Sequence, residues 1–323
     1  MTNETTIFDR IRTSCARVAN VAQHIDIDRE ELAQFAETLP KERLESPTMD
    51  AEHHLVDCGD NTVAFVLTLD AINFGSGYFP KLRPLDGRTG YFLVARALRD
   101  RFAEAGPYSA VELTQISAED CAALFGQSTD QPEPRELMEL FATALRDLGE
   151  LLIDRFDGQF TALVESADHR AHSLVEILSE MPLYRDVATY RDFDVPLYKR
   201  AQITVADLHL ALGGQGLGRF EDLDDLTIFA DNQVPHVLRA AGILRYSQEL
   251  TDLIANGQYL QPNSPEEVEI RACGLHAVEL IVDHLREQGV ETTSMAVDNY
   301  LWHIGESPPY SEGPKHRAKS TFY

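Results

Sequence analysis

The chain has 323 residues, 53 of them acidic against 28 Lys and Arg, for a formal net charge of -25. Hydrophobic residues at 44% and charged residues at 25% place it among globular proteins and exclude a disordered chain, and its length suits two ordinary domains or one large helical one. So negative a chain is a poor ligand for duplex nucleic acid, whose phosphates need clustered cations, but a small anion can still be held by a few local ones.

Cys15, Cys58, Cys121 and Cys273 are far apart and form no CxxC pair. They read as free thiols of a reducing compartment rather than a disulfide framework or zinc site. The first residues, Met-Thr-Asn-Glu-Thr-Thr-Ile-Phe-Asp, are polar and acidic with no signal-peptide core. No stretch approaches the ~18 apolar residues of a membrane span. The expectation is a soluble cytoplasmic protein with no membrane partner.

Helical periodicity dominates and predicts a mainly α fold. Asp28 with Glu31 caps a helix carrying Leu32, Phe35 and Leu39. The run 61–70, Asn-Thr-Val-Ala-Phe-Val-Leu-Thr-Leu-Asp, is β-branched and aromatic and reads as a strand, a small β element in the N-terminal third. A helix is expected over 89–105. Ser117 with Asp120 opens a short one ending at Gly126, and 126–135 reads as a linker. Helices follow at 136–156, 160–180, 196–212, 235–241 and 248–255. Between two of them, Gly213-Gly-Gln-Gly-Leu-Gly218 misses the phosphate-loop register and reads as a helix cap and connector. Ser264-Pro265-Glu266-Glu267 is the strongest start signal, with its helix running to Gly289. A last helix covers 294–303, before a locally basic end. The implied organisation is an N-terminal helical region with the β element (1–126), a helical catalytic region packed against it as one globular unit (136–305) and a C-terminal tail (306–323).

Few residues in this pattern point to chemistry. Lys199 and Arg200 occupy the first turn of their helix, where the macrodipole disfavours cations, and Lys199 heads an apolar stripe of Ile203, Ala206 and Leu210. An anion at that helix start would explain them; a Lys stem reaching solvent, or a pair with Asp192 or Asp194, would do so as well. Asp231 ends the apolar run Leu226-Thr-Ile-Phe-Ala and precedes a proline-started helix, as a capping aspartate does, and also as a carboxylate facing an oxocarbenium-like sugar does. Phe229 could wall such a site. Asp298 lies on an apolar face with Met295, Leu301 and Trp302, so it needs a partner in the protein or in a ligand. Phe74 in Asn73-Phe-Gly-Ser-Gly-Tyr-Phe-Pro80 either plugs a turn or stacks on a base. His169 with His172, and His276, Glu279, Asp283 and His284, have spacings a metal could use, but solvated helix faces look the same; no metal and no cofactor is expected.

Taken together, four segments resemble the queuosine salvage protein family. They are Asp192-Phe-Asp-Val-Pro-Leu-Tyr-Lys-Arg-Ala-Gln-Ile-Thr-Val-Ala-Asp207, Leu226-Thr-Ile-Phe-Ala-Asp-Asn-Gln-Val-Pro235, Glu269-Ile-Arg-Ala-Cys-Gly-Leu-His-Ala-Val-Glu-Leu280 and Val297-Asp-Asn-Tyr-Leu-Trp302. The likeness spans about residues 30 to 305; the Asn73–Pro80 stretch differs from the Asn-Phe-Cys-Phe-Trp form of eukaryotic members. The resemblance implies a helical fold akin to helix-hairpin-helix DNA glycosylases and hydrolysis of queuosine 5'-monophosphate to queuine and ribose 5-phosphate. It also implies one catalytic aspartate at the sugar, which in this chain is Asp231. Lys199 would then meet the phosphate, Asp298 the aminomethyl cation or the cyclopentene diol, and Phe74 and Phe229 the planar base. His53, in Glu52-His53-His54, carries no signal of its own and is counted with the substrate-binding residues. Asp231 would stabilise the ribosyl cation and either position water or attack C1'.

Three other classes compete. A non-catalytic queuine- or nucleoside-binding protein serving tRNA modification would need the same aromatic and acidic residues. A glycosylase acting on polymeric nucleic acid is opposed by the charge, and a purely structural helical scaffold is the residual possibility.

Overall fold

Thr6 Oγ1 accepts from the Asp9 N–H while the Asp9 carboxylate accepts from the Thr6 N–H, and this capping box opens α1 (Ile7–Val21). The sequence reading passed over this helix, whose buried Ile7, Phe8, Ile11, Cys15 and Val18 keep helical spacing. In the computed structural model, which describes residues 5–44 and 49–323, 58% of the chain is helix and 6% strand, so the mainly α expectation holds.

The next elements are β1 (Ile25–Ile27) and α2 (Arg29–Thr38), the latter capped by Asp28 as expected. Residues 61–70 are not a strand: they form α3 (Asp60–Ala71), in which every residue from Thr62 to Ala71 is buried. A helix covered on all sides shows no polar stripe, so its β-branched run mimics a strand. Then come α4 (Gly90–Ala105), α5 (Ala110–Gln115), α6 (Ala118–Leu124) and α7 (Pro132–Phe156). Pro132 at the first position starts α7 inside the expected linker. The single helix expected over 160–180 is two, α8 (Phe160–Glu165) and α9 (Ala171–Leu178), parted where Asp168 and His169 adopt positive φ.

A hairpin of β2 (Val187–Tyr190) and β3 (Phe193–Pro196) turns through Arg191 at φ 54°, so α10 (Lys199–Ala211) begins three residues later than expected. The rest are α11 (Val234–Ala240), β4 (Leu244–Tyr246), α12 (Gln248–Ala255), β5 (Tyr259–Leu260), α13 (Pro265–Glu287), α14 (Ser294–Ile304) and β6 (Arg317–Ala318).

These elements form two units interleaved along the chain. One contains the described part of Met1–Pro47, with Asp186–Lys199 and Asp224–Lys319; the other contains the described part of Thr48–Arg185, with Arg200–Leu223 and Ser320–Tyr323. In the first, α13 packs against α1, α2, α11 and α14, and β1 pairs antiparallel with β4. Glu269 of α13, fully buried, accepts from the Gln23 and His24 N–H groups and from the Tyr190 hydroxyl, tying the end of α1 to the hairpin. β6 pairs parallel with β5, and His316 beside it is buried.

In the second unit α7 packs against α3, α5, α6 and α8. The carbonyl oxygen of Tyr323 accepts from the Gly75 and Ser76 N–H groups. Gly149 of α7 faces α5 so closely that a Cβ there would lie 2.7 Å from the Ala110 carbonyl oxygen and 2.9 Å from the Thr114 nitrogen. Backbone cannot retreat as a side chain can. Gly149→Ala is therefore expected to cost about 1–3 kcal/mol, measured by chemical denaturation; an unchanged midpoint would contradict this packing. All four cysteines are free thiols, Cys58 exposed and the others buried.

Candidate active site

The run from Leu226 to Ala230 is buried, and the chain then surfaces at half-buried Asp231. Asp231 Oδ1 accepts from the Gln233 N–H at 2.7 Å and the Val234 N–H at 3.2 Å, an Asx turn that launches α11. The capping role is real, and it leaves the second oxygen: Oδ2 accepts no hydrogen bond from a described residue. Gln233 is fixed in turn. Its amide donates to the Trp302 carbonyl at 3.3 Å and to Glu306 at 2.8 Å and accepts from the Lys315 ammonium. On the other side of Asp231, the Ala230 carbonyl accepts from Arg271 Nε at 2.9 Å.

Asp298 of α14 is 4% exposed, and its Oδ1 accepts from the Phe229 N–H at 3.0 Å. Burial, reinforced by the charge of Asp231 and opposed by the Phe229 hydrogen bond and by Lys199, pushes its carboxyl up to about 8. Asp298 therefore holds a proton near neutral pH. A neutral Asp298 is a buried acid able to donate to a ligand.

Lys199 is buried, and its backbone N–H donates to Asp186 Oδ2 at 3.1 Å. The Asp186 carboxylate thus takes the first amide of this helix start. Arg200 points elsewhere. In the second unit its guanidinium donates to the carbonyls of Asp70, Ala71 and Leu183 and lies over the rings of Phe74 and Tyr184.

Four of the six residues singled out from sequence, Lys199, Phe229, Asp231 and Asp298, come together in the first unit. Phe74 and His53 belong to the second. Phe74 is 1% exposed, edge-on to Phe141 at 5.2 Å with the Arg200 guanidinium 4.7 Å from its centroid. His53 Nδ1 meets Asp50 Oδ2 at 2.5 Å, and Nε2 accepts from Arg88 Nε at 3.3 Å.

Two residues were missed. Asp186 and Arg271, 1% and 0% exposed, form a bidentate pair with contacts of 2.9 and 2.6 Å that touches both the Asp231 loop and Lys199. The signal for Arg271 was an arginine set among Ile270, Ala272 and Cys273; Asp186 offered none.

Among the described residues no group of three or more His, Cys, Asp or Glu side chains is arranged to hold a metal ion. His172 pairs with Asp222, His169 with the Arg219 carbonyl, Glu279 with Arg12 and Ser294, and His284 with Gln288.

The model of the queuosine salvage protein family matches residues 53–323. Three similar proteins are each named queuosine 5'-phosphate N-glycosylase/hydrolase. One of Sphaerobacter thermophilus is 37% identical over 97% of both chains. One of Dictyostelium discoideum is 31% identical over 97% of this chain and 98% of its own. One of Bos taurus is 33% identical over 90% and 91%.

Proposed function

The chain belongs to the queuosine salvage protein family, and from that premise we propose that it is a hydrolase that cleaves the N-glycosidic bond of queuosine 5'-monophosphate, releasing queuine and ribose 5-phosphate. The proposal includes a cytoplasmic role in queuine salvage for tRNA modification, a fold kinship to helix-hairpin-helix DNA glycosylases and no duplex nucleic acid partner. The observation that carries it is the carboxylate of Asp231, anchored through one oxygen, beside a buried acid at Asp298 and a buried cation at Lys199.

Breaking the bond from C1' to the base leaves positive charge on the ribose and negative charge on the base. Asp231 Oδ2 faces the first, stabilising the oxocarbenium-like ribosyl cation, orienting the water whose oxygen bonds to C1' and taking the proton that water gives up. Neutral Asp298 answers the second by donating to the departing base, which takes up a proton. A 7-deazapurine has no N7 to assist departure, so sugar-side stabilisation carries more of the barrier. Phe229 covers the base, and the Lys199 ammonium pairs with the phosphate.

Losing such a charge-assisted contact costs about 1.5–3 kcal/mol. Lys199→Ala is therefore expected to lower kcat/KM for queuosine 5'-monophosphate by roughly 10- to 100-fold and to leave unphosphorylated queuosine nearly untouched. Equal losses on both substrates would remove Lys199 from the phosphate. His53 and Phe74 remain in the proposal as substrate contacts. His53→Ala and Phe74→Leu are expected to weaken queuine binding, the first at an unchanged melting temperature and the second at a lower one, since Phe74 is buried; unchanged binding assigns the residue to packing.

A further inference from the structure

We infer that the buried Asp186–Arg271 pair is the positioning element that holds the sugar end and the phosphate end of the site in one register; this rests on the proposed function. Arg271, fully buried in α13, uses all three guanidinium nitrogens. Nε donates to the Ala230 carbonyl at 2.9 Å, Nη1 to Asp186 Oδ1 at 2.9 Å and Nη2 to Asp186 Oδ2 at 2.6 Å, with Glu267 3.6 Å from Nη1. The Ala230 carbonyl belongs to the peptide that enters Asp231, so the Arg271 fork sets the plane from which the Asp231 side chain departs. Asp186 Oδ2 also accepts from the Lys199 N–H, while its own carbonyl accepts from Leu197 and Tyr198 at the base of the hairpin. One guanidinium and one carboxylate thus join α13, the Asp231 loop, the β2–β3 hairpin and the first residue of α10.

Stability is a weak reason for this arrangement. A buried ion pair loses much of its Coulomb gain to desolvation, and an apolar pair of similar volume often serves as well. What an apolar pair cannot do is direct a planar donor fork at one carbonyl and one carboxylate together. A displacement of about 1 Å at a reacting group costs as much as ~100-fold in rate, so fixing the Ala230–Asp231 peptide matters to turnover.

The two ends give separate readouts. Arg271→Lys keeps the charge beside Asp186 but loses the fork. It is expected to lower kcat by about tenfold or more on both queuosine 5'-monophosphate and queuosine, with queuine affinity within about threefold of the parent. Asp186→Asn keeps an acceptor for the Lys199 N–H but not the charge for Arg271. It is expected to shrink the preference for the phosphorylated substrate by about fivefold or more. Neither change follows from a merely structural role, which would lower melting temperature and leave both ratios alone. If Arg271→Lys fails to fold, the double variant Arg271→Met with Asp186→Leu, which removes both charges together, carries the same test. Folded variants with parental kcat and parental phosphate preference overturn the inference while the proposed function stands. A parent chain that releases no queuine from queuosine 5'-monophosphate takes both down.

Discussion

Asp231→Asn is expected to release queuine from queuosine 5'-monophosphate at least about 100-fold more slowly than the parent chain, at an unchanged melting temperature. The two halves of that result separate the two jobs of the residue. Asn keeps an oxygen for the Gln233 and Val234 N–H groups, so the turn into α11 survives. It loses the negative charge proposed to face C1', and the loss of one group aimed at developing charge costs on the order of 2.7–4 kcal/mol of barrier. Asp231→Ala removes the cap as well and is expected to lose a further 0.5–2 kcal/mol, roughly, of folding stability. Turnover of Asp231→Asn within about threefold of the parent would remove Asp231 from the chemistry.

The second large effect is a pH dependence at Asp298. Its carboxyl moves from 3.8 to about 8, chiefly through burial and next through the Asp231 charge. The folded chain therefore holds a proton that the unfolded chain gives up between those two values. This proton's contribution to stability is complete below about pH 4 and is lost as pH rises to about 8. Asp298→Asn keeps an acceptor for the Phe229 N–H and has nothing to titrate. Denaturation midpoints at pH 5, 7 and 9 are expected to fall in the parent relative to the variant; parallel curves would contradict the buried proton. The same ionisation removes the proposed donor to the leaving base, so kcat/KM of the parent is expected to fall above about pH 8, a limb absent from Asp298→Asn.

The starts of α2, α6, α13 and α14 were legible from sequence to within a residue, while those of α1, α5 and α7 were missed although a capping box opens the first two and a proline the third. α3 was not legible, because complete burial erases the polar stripe that marks a helix. Nor was the β2–β3 hairpin, four residues a side, whose turn uses Arg191 in place of the usual glycine or asparagine. At the candidate site, Asp231, Asp298 and Lys199 stood out in the sequence because each is a charged group where an apolar pattern or a helix dipole disfavours one. Which partner each would find depends on long-range pairing. Asp186 and Arg271 are 85 residues apart, and Phe229 and Asp298 are 69 apart. That Asp186 accepts from the Lys199 N–H at the start of α10 is visible only in three dimensions.

The most direct test of the account is a product assay. The purified chain, with EDTA present, is incubated separately with queuosine 5'-monophosphate, queuosine and guanosine 5'-monophosphate, and the released base is followed by mass spectrometry. The expected result is queuine from the first substrate, more slowly from the second, and no guanine from the third. Tight binding of queuine with no release from queuosine 5'-monophosphate would contradict it, and would make Asp231 a ligand contact of a carrier.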